Sequence, residues 1–450
     1  MTLTLHPEAA ANFNKKAEEI LLMVVVAPQS NKERPFPSQL FIEHSIVAEE
    51  VVGGMRHAEV DFKGDEVSRY FDADGRRIGL IKENYASFET LCRSILKSPD
   101  LINAISLRSV KDTAFEWVEL RYKGQNVQLL IDFMLPRLES IIRKLEIWVP
   151  VYGTEIETSF SIGHVVFQPI TKALVDTWVE ESTRDRAAEE AERRKQFIEN
   201  ERRKIQGFAV GTMVFDADPV RAGEIAVYEV ERALNLLRFY EPTNLHPGIS
   251  SHCTILGKQH LQSTKFYQIQ GGLVVGSSHS MIDKGSPYWQ IEKNFLMAIK
   301  DEGLDKLSSI LLSKNPSDFQ MLIVDTLQIY SRMGLAKTYS DKLVYLLVTL
   351  ESLLLRGNSE SIQQNVGERL AFALEKRPNE RKRIVRNFKE VYGMRSDFVH
   401  HGNDVEPEQV YALTEFMANA WTFLRLVIRN ADNFRSKSDM IDAIDNIKFS

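Results

Sequence analysis

PNERKRIVRNFKEVYGMRSDFVHHG, residues 378–402, is the stretch that decides the fold class of the C-terminal part. Ile384, Val385, Phe388, Val391 and Tyr392 form an apolar stripe at helical spacing, beginning after the break at Pro378. Gly402-Asn403 is a natural helix stop. Between Lys376 and Arg395 eight Lys/Arg stand against two Glu, a local charge of +6. Arg381, Lys382, Arg386 and Lys389 are expected to face outward and line a nucleic-acid-binding groove towards Arg395. Arg395 itself falls on the apolar stripe, three, four, seven and eleven residues after Tyr392, Val391, Phe388 and Ile384. A guanidinium there has to be paired or placed at an interface, because an unpaired buried charge is strongly disfavoured. His400 and His401 end the helix, where the dipole favours a protonated imidazole and suits it to acid–base work near neutral pH. At about 100° per residue, Arg395 and His400 point about 140° apart. They meet around one phosphate only if the helix loosens at its end or two chains contribute. The residues alone favour the plainer reading, an interfacial ion pair and an exposed histidine doublet.

Leu343–Leu355 is apolar nearly all round, broken only by Tyr345, Thr349, Glu351 and Ser352, and is expected to be a central buried helix. Glu351 then needs a cation, with Arg369 and Arg395 the candidates, and a buried ion pair is its plainer role. Val410, Leu413, Met417, Ala420, Leu424 and Val427 predict a long helix from Pro407 to Asn430.

The first 170 or so residues read differently, as mixed α/β. Short β-branched or aromatic runs at Val24–Val26, Ala58–Phe62, Val118–Tyr122, Leu145–Tyr152 and Ser159–Phe167 predict strands. Asp72-Ala73-Asp74-Gly75 is hairpin-turn chemistry. Helical patterns fall at Tyr85–Leu96 and Arg137–Leu145, and Ala27–Pro37 is a Pro-rich loop. Lys172–Gln206 predicts one long charged helix, a connector whose basic tail is Arg202, Arg203 and Lys204. A helix at Gly223–Tyr240 precedes an irregular Gly/Ser/His-rich stretch with strands at Phe266–Ile269 and Leu273–Val275. The expected class is α+β: a mixed domain over 1–171, a connector over 172–206, a sensor or substrate-selecting segment over 207–300 and an all-helical domain over 301–450.

Composition narrows the function. The chain has 450 residues, 44% hydrophobic and 26% charged, which excludes a fibrous or largely disordered class. Its longest apolar run, Ile20–Ala27, falls far short of the ~20 residues of a membrane span. No secretory signal is visible, and a soluble cytoplasmic protein is expected. A net charge of −6 rules out nucleic-acid binding by bulk electrostatics and leaves it to the local basic run. Cys92 and Cys253 are the only cysteines, too few for a disulfide scaffold or a Cys-rich zinc site. His246, His252, Cys253 and His260 match no zinc spacing. The Asp72–Gly75 turn fails as a calcium loop, since Tyr70 and Ile81 occupy the first and twelfth positions. With no phosphate loop, His-Glu-x-x-His or Gly-x-Ser-x-Gly, no cofactor or metal is expected.

Leu350-Glu351-Ser352-Leu353-Leu354, Gly367-Glu368-Arg369-Leu370-Ala371 and Val391–Gly402 together resemble the Apea-type HEPN domain. That family pairs an acidic residue in a buried helix with an Arg-hydrophobic-Ala segment and a tyrosine followed by Arg, Ser and His-Gly. The resemblance spans about Phe319 to Asn430. It implies an all-helical bundle that forms a homodimer, and a metal-independent endoribonuclease of anti-phage or toxin systems. Carried onto this chain, it assigns catalysis to Arg395 and His400, with His401, Ser396, Asp397, Glu351 and Tyr392 as alternatives or supports. Single-stranded or loop RNA, tRNA anticodon loops included, is the implied substrate, with a phage-derived trigger sensed upstream. The family's silent members imply the alternative, a binding module for a partner protein or nucleotide.

Overall fold

The computed structural model of the chain describes residues 2–27, 58–61, 63, 65–258, 263–270, 273–281, 289–357 and 359–449. Most of the Pro-rich loop and His260 lie outside the described residues. Two compact units form, residues 1–146 with 214–224, and residues 147–213 with 225–450. These boundaries differ from those read in the sequence at 171, 206 and 300.

The first unit opens with α1 (Pro7–Leu21) and β1 (Val25–Val26), followed by β2 (Ala58–Val60), β3 (Glu66–Ala73) and β4 (Arg76–Ile81). The strands form an antiparallel sheet in the order β1-β4-β3-β2. Asp74 and Gly75 join β3 to β4 with positive φ at both, 51° and 69°, as the expected hairpin demands. Helices α2 (Glu83–Leu96), α3 (Pro99–Ile102), α4 (Leu107–Tyr122) and α5 (Leu130–Ile141) complete it.

Two expectations fail here. Val118–Tyr122 ends α4 instead of forming a strand. The Ser106 hydroxyl accepts the Ser109 N–H at 3.1 Å and starts that helix. Burial of Val110, Ala114, Trp117 and Val118 along one face then outweighs the local β-branched pattern. The helix read at Arg137–Leu145 stops at Ile141, and Arg143 already begins a strand.

The second unit takes in β5 (Arg143–Tyr152), β6 (Thr154–Ile156), β7 (Phe160–Ile162), β8 (Val165–Pro169), α6 (Lys172–Thr183), α7 (Ala188–Ile205), β9 (Ala209–Ala217) and α8 (Pro219–Arg238), with the outermost residues of β5, β9 and α8 assigned to the first. Strands β10 (Thr254–Ile255), β11 (Ser263–Gln270), β12 (Leu273–Met281) and β13 (Trp289–Ile291) follow. The main sheet runs β10-β5-β9-β8-β7. The single helix read over Lys172–Gln206 is a helical hairpin. The chain breaks after Thr183, Asp185 takes φ 57°, and α7 folds back so that Arg202 pairs with Asp176. A solvated connector needs no such return.

Helices α9 (Lys293–Ile299), α10 (Asp305–Leu312), α11 (Asp318–Leu335), α12 (Tyr339–Leu354), α13 (Ile362–Leu374), α14 (Pro378–His401), α15 (Val410–Arg429) and α16 (Lys437–Phe449) complete the chain. As its composition implies, α12 buries Leu343, Leu346, Leu347, Leu350, Leu353 and Leu354, yet leaves Val348 38% exposed. Lys342 on α12 is fully buried, its ammonium donating to the Ile249 carbonyl at 2.5 Å. Burial pushes its pKa down to about 8, against the pull of Glu241.

One buried cation clamps the end of this bundle. Arg369 on α13, 5% exposed, donates bidentately to Glu360 at 2.7 and 2.9 Å and to Asp445 of α16 at 3.1 and 3.2 Å. It also donates to the Leu354 carbonyl that ends α12, at 2.6 Å. Arg356 adds 2.5 Å to Asp442 and 3.0 Å to Asp445.

Asp445→Asn is expected to lower the unfolding free energy at pH 7 by about 2–3 kcal/mol, below the buried-pair range because Asp445 keeps some solvent. Burial works against the Asp445 charge, but hydrogen bonds from Arg369 and Arg356 hold its pKa below the ordinary 3.8. Its contribution is therefore present above pH 3.8 and lost as pH falls through the folded-state value. Acid melts should converge for variant and wild type below that point. Lys342 gives the same sign in an alkaline window, since its folded pKa is also depressed, from 10.5 to about 8, here because burial penalises the charge. Stability should rise between about pH 8 and 10.5 in the wild type and stay flatter in Lys342→Met, measured by urea melts.

Candidate nucleic-acid interface

Helix α14 is regular from Pro378 to His401, so the direction of each side chain follows the 3.6-residue period. Its buried face is Ile384, Asn387, Phe388, Val391 and Met394. Gly367 of α13 lies against it: a Cβ at Gly367 would sit 3.0 Å from the Phe388 ring, so a larger residue would need the ring to give by a few tenths of an ångström.

Close approach of α13 and α14, with α16 beside them, leaves a pocket of about 590 Å³. Its walls are Glu368 and Phe372 of α13, Pro378, Arg381, Lys382, Val385, Arg386 and Lys389 of α14, and Lys448 of α16. Arg381 is held in place, donating Nε–H to the Glu375 carbonyl at 2.6 Å and lying 4.0 Å over the Phe372 ring. Lys448 pairs with Glu368. Lys382, Arg386 and Lys389 are exposed and make no hydrogen bond or ion pair among the described residues. Arg383, by contrast, is consumed by Glu415 at 2.8 Å and Glu380 at 3.3 Å.

All four basic residues read from the sequence meet in this pocket. Phe372 and Lys448 were missed. Lys448 carries no signal of its own, since it reaches the pocket only because α16 packs back onto α13. Like charges crowded around one cavity repel one another and are stabilised by an anion.

The groove does not lead to Arg395. Lys382 and His400 are about five turns apart and project the same way, whereas Arg395 points about 140° from both. Arg395 is half-buried and makes no hydrogen bond or ion pair within 4 Å among the described residues. Its electrostatic partner is Glu351 across on α12; burial pushes the Glu351 carboxyl up, and the guanidinium pulls it back down. Arg369, the other cation considered for Glu351, belongs to the clamp.

His400 and His401 are both exposed, ring centres 6.4 Å apart. The helix stays regular to its end, so within one chain Arg395 and His400 diverge. Gly402 takes φ 72° and stops it as expected, its N–H donating to the Phe398 carbonyl at 2.9 Å. Tyr392 stacks on Phe388 at 6.2 Å, Ser396 is half-buried and Asp397 is exposed.

Cys253 is buried and its thiol is pushed up to about 12 by burial, far from a reactive thiolate. No three His, Cys, Asp or Glu side chains converge as a metal site among the described residues. No helix among them is long and apolar enough to cross a membrane.

Lys382→Gln combined with Lys389→Gln is expected to weaken binding of oligouridylate and to flatten the slope of log K against log salt by about 1.4, two phosphates' worth for a single strand. Thermal stability should stay unchanged, because neither side chain holds the fold. Fluorescence anisotropy at several salt concentrations, with a melt of each variant, checks both.

No protein-family model, curated protein or solved structure matches the chain.

Proposed function

We propose that the C-terminal helices are a HEPN-type, metal-independent endoribonuclease whose cleavage centre is completed by a second copy of the chain. One observation carries the reading. A single regular helix presents Lys382, Arg386 and Lys389, unpaired among the described residues, on the line that ends in His400, while Arg395 sits half-buried beside Glu351 without a hydrogen-bonding partner among them.

A cation in that state is a candidate for charge arriving from outside. Val348, Val399 and Tyr411 are 38, 49 and 78% exposed, apolar surface that a two-fold contact would cover. Such a contact brings Arg395 of one copy towards His400 of the other, the meeting that one helix forbids. In the composite cleft His400, or His401 one residue on, takes the proton of a ribose 2′-OH. The 2′-oxygen attacks the adjacent phosphorus, the 5′-oxygen leaves with a proton returned to it, and a 2′,3′-cyclic phosphate remains. Arg395 bridges two phosphoryl oxygens as charge builds. Loop RNA such as tRNA anticodon loops is the substrate class, because unstacked bases can be splayed and read. In the cell this activity serves cytoplasmic anti-phage defence, with a phage-derived trigger sensed by the upstream residues.

The 140° divergence within one chain favours a second reading, a catalytically silent HEPN module that engages a partner protein or nucleotide. Purified wild type, Arg395→Ala and His400→Ala incubated with total RNA in chelator separate the two. The expected outcome is cleavage by wild type and a loss of about 100-fold or more in each variant. Sedimentation at micromolar concentration is expected to give twice the 51.5 kDa of the chain. RNA bound but uncleaved in all three samples would leave the silent module.

A further inference from the structure

Gly393 sits inside α14, where glycine is the poorest helix former after proline, yet nothing in the packing requires it. A Cβ at Gly393 would meet no atom within 4 Å, so the position opens to solvent rather than to a neighbouring helix. At the helical period, Lys382, Arg386, Lys389, Gly393, Ser396 and His400 fall within a sector of about 80°. Gly393 lies between the last unpaired cation and the histidine. It is the low point of a line that is charged at one end and carries acid–base chemistry at the other.

Glycine without a packing role is the residue that lets another backbone come close. The far end of the line already has a largely basic pocket with an aromatic wall. Glu390 and Asp397 are exposed on one flank of the line and repel a phosphate strand that strays that way.

We propose that this line is a track for a single RNA strand, anchored by its phosphates in the α13–α14–α16 pocket, lying closest to the helix at Gly393 and reaching the histidine end. The proposal rests on the endoribonuclease reading for its ligand and sharpens it into a length requirement. Lys382 to His400 spans about 27 Å along the helix axis. At 3.4 Å per stacked nucleotide that is about eight nucleotides, and an unstacked, more extended strand covers the span with fewer. A strand too short for the span occupies the pocket without reaching the histidines.

The test measures binding of labelled 2′-O-methyl oligouridylates of four, eight and twelve nucleotides, which cannot undergo 2′-OH attack, to full-length wild type, Gly393→Ala and Gly393→Met. Wild-type affinity is expected to climb steeply between four and twelve nucleotides. Gly393→Met should weaken the twelve-mer about tenfold and leave the four-mer within about twofold, with a smaller loss in Gly393→Ala. Both variants should melt no lower than wild type, since alanine and methionine are better helix formers. Affinity independent of length, or a twelve-mer indifferent to Gly393→Met, overturns the track. So does a loss of the dimer in Gly393→Met with length dependence intact, which would assign Gly393 to a contact between copies. Cleavage of unmodified RNA is followed in parallel. A length-dependent, Gly393-sensitive affinity without cleavage sustains the track and removes the catalytic reading; cleavage without that dependence does the reverse.

Discussion

The C-terminal bundle hangs on the Arg369 guanidinium. A buried cation of this kind is costly alone, and here all its donors are used: two to each of two carboxylates, with the Leu354 carbonyl taking a further bond. The result fastens α16 to α13 and to the end of α12. Without α16 the basic pocket loses the wall that carries Lys448, and without the Gly367–Phe388 approach α13 cannot bring Phe372 alongside α14. The clamp also holds together a region whose surface charges push apart, with Arg381, Lys382, Arg386, Lys389 and Lys448 around one cavity.

Two arginines of the same bundle make the contrast between architecture and chemistry. Arg369 is saturated, and the short segment around it reads entirely as packing. Gly367 admits Phe388, Glu368 pairs with Lys448, and Leu370 and Ala371 are core. Arg395 is half-buried and faces one carboxylate, beyond ion-pair distance, whose own charge is penalised by burial. A saturated arginine has little left to offer a ligand. An under-compensated one at a partly exposed surface does, and α12 beside it keeps Val348 uncovered.

Much of the fold was legible because it rests on local repetition. The three- and four-residue spacing of Ile384, Phe388 and Val391 places the same face inward whatever α14 packs against, and Gly402 stops the helix by its own backbone freedom. The Asp74-Gly75 hairpin and the strand at Leu145–Tyr152 follow from turn chemistry and side-chain alternation in the same way. Misreadings came where local pattern and distant packing disagree. Val118–Tyr122 has strand-forming residues, but Trp117 and Val118 are buried as one face of α4. Lys172–Gln206 has an unbroken helical composition, and only the return of Arg202 to Asp176 reveals the bend.

At the candidate site the sequence by itself determined the residue types and their order along one helix: a basic run, a glycine, an arginine on the apolar side and a histidine pair at the end. Periodicity is a property of the chain alone, so those directions needed no partner. Tertiary structure decided what the directions mean. It brought Lys448 to the basic run across more than fifty residues of chain, gave Arg369 its carboxylates, and left Arg395 facing Glu351 rather than the groove. Contacts of that range depend on which helices lie side by side, and no spacing within a single helix carries that information.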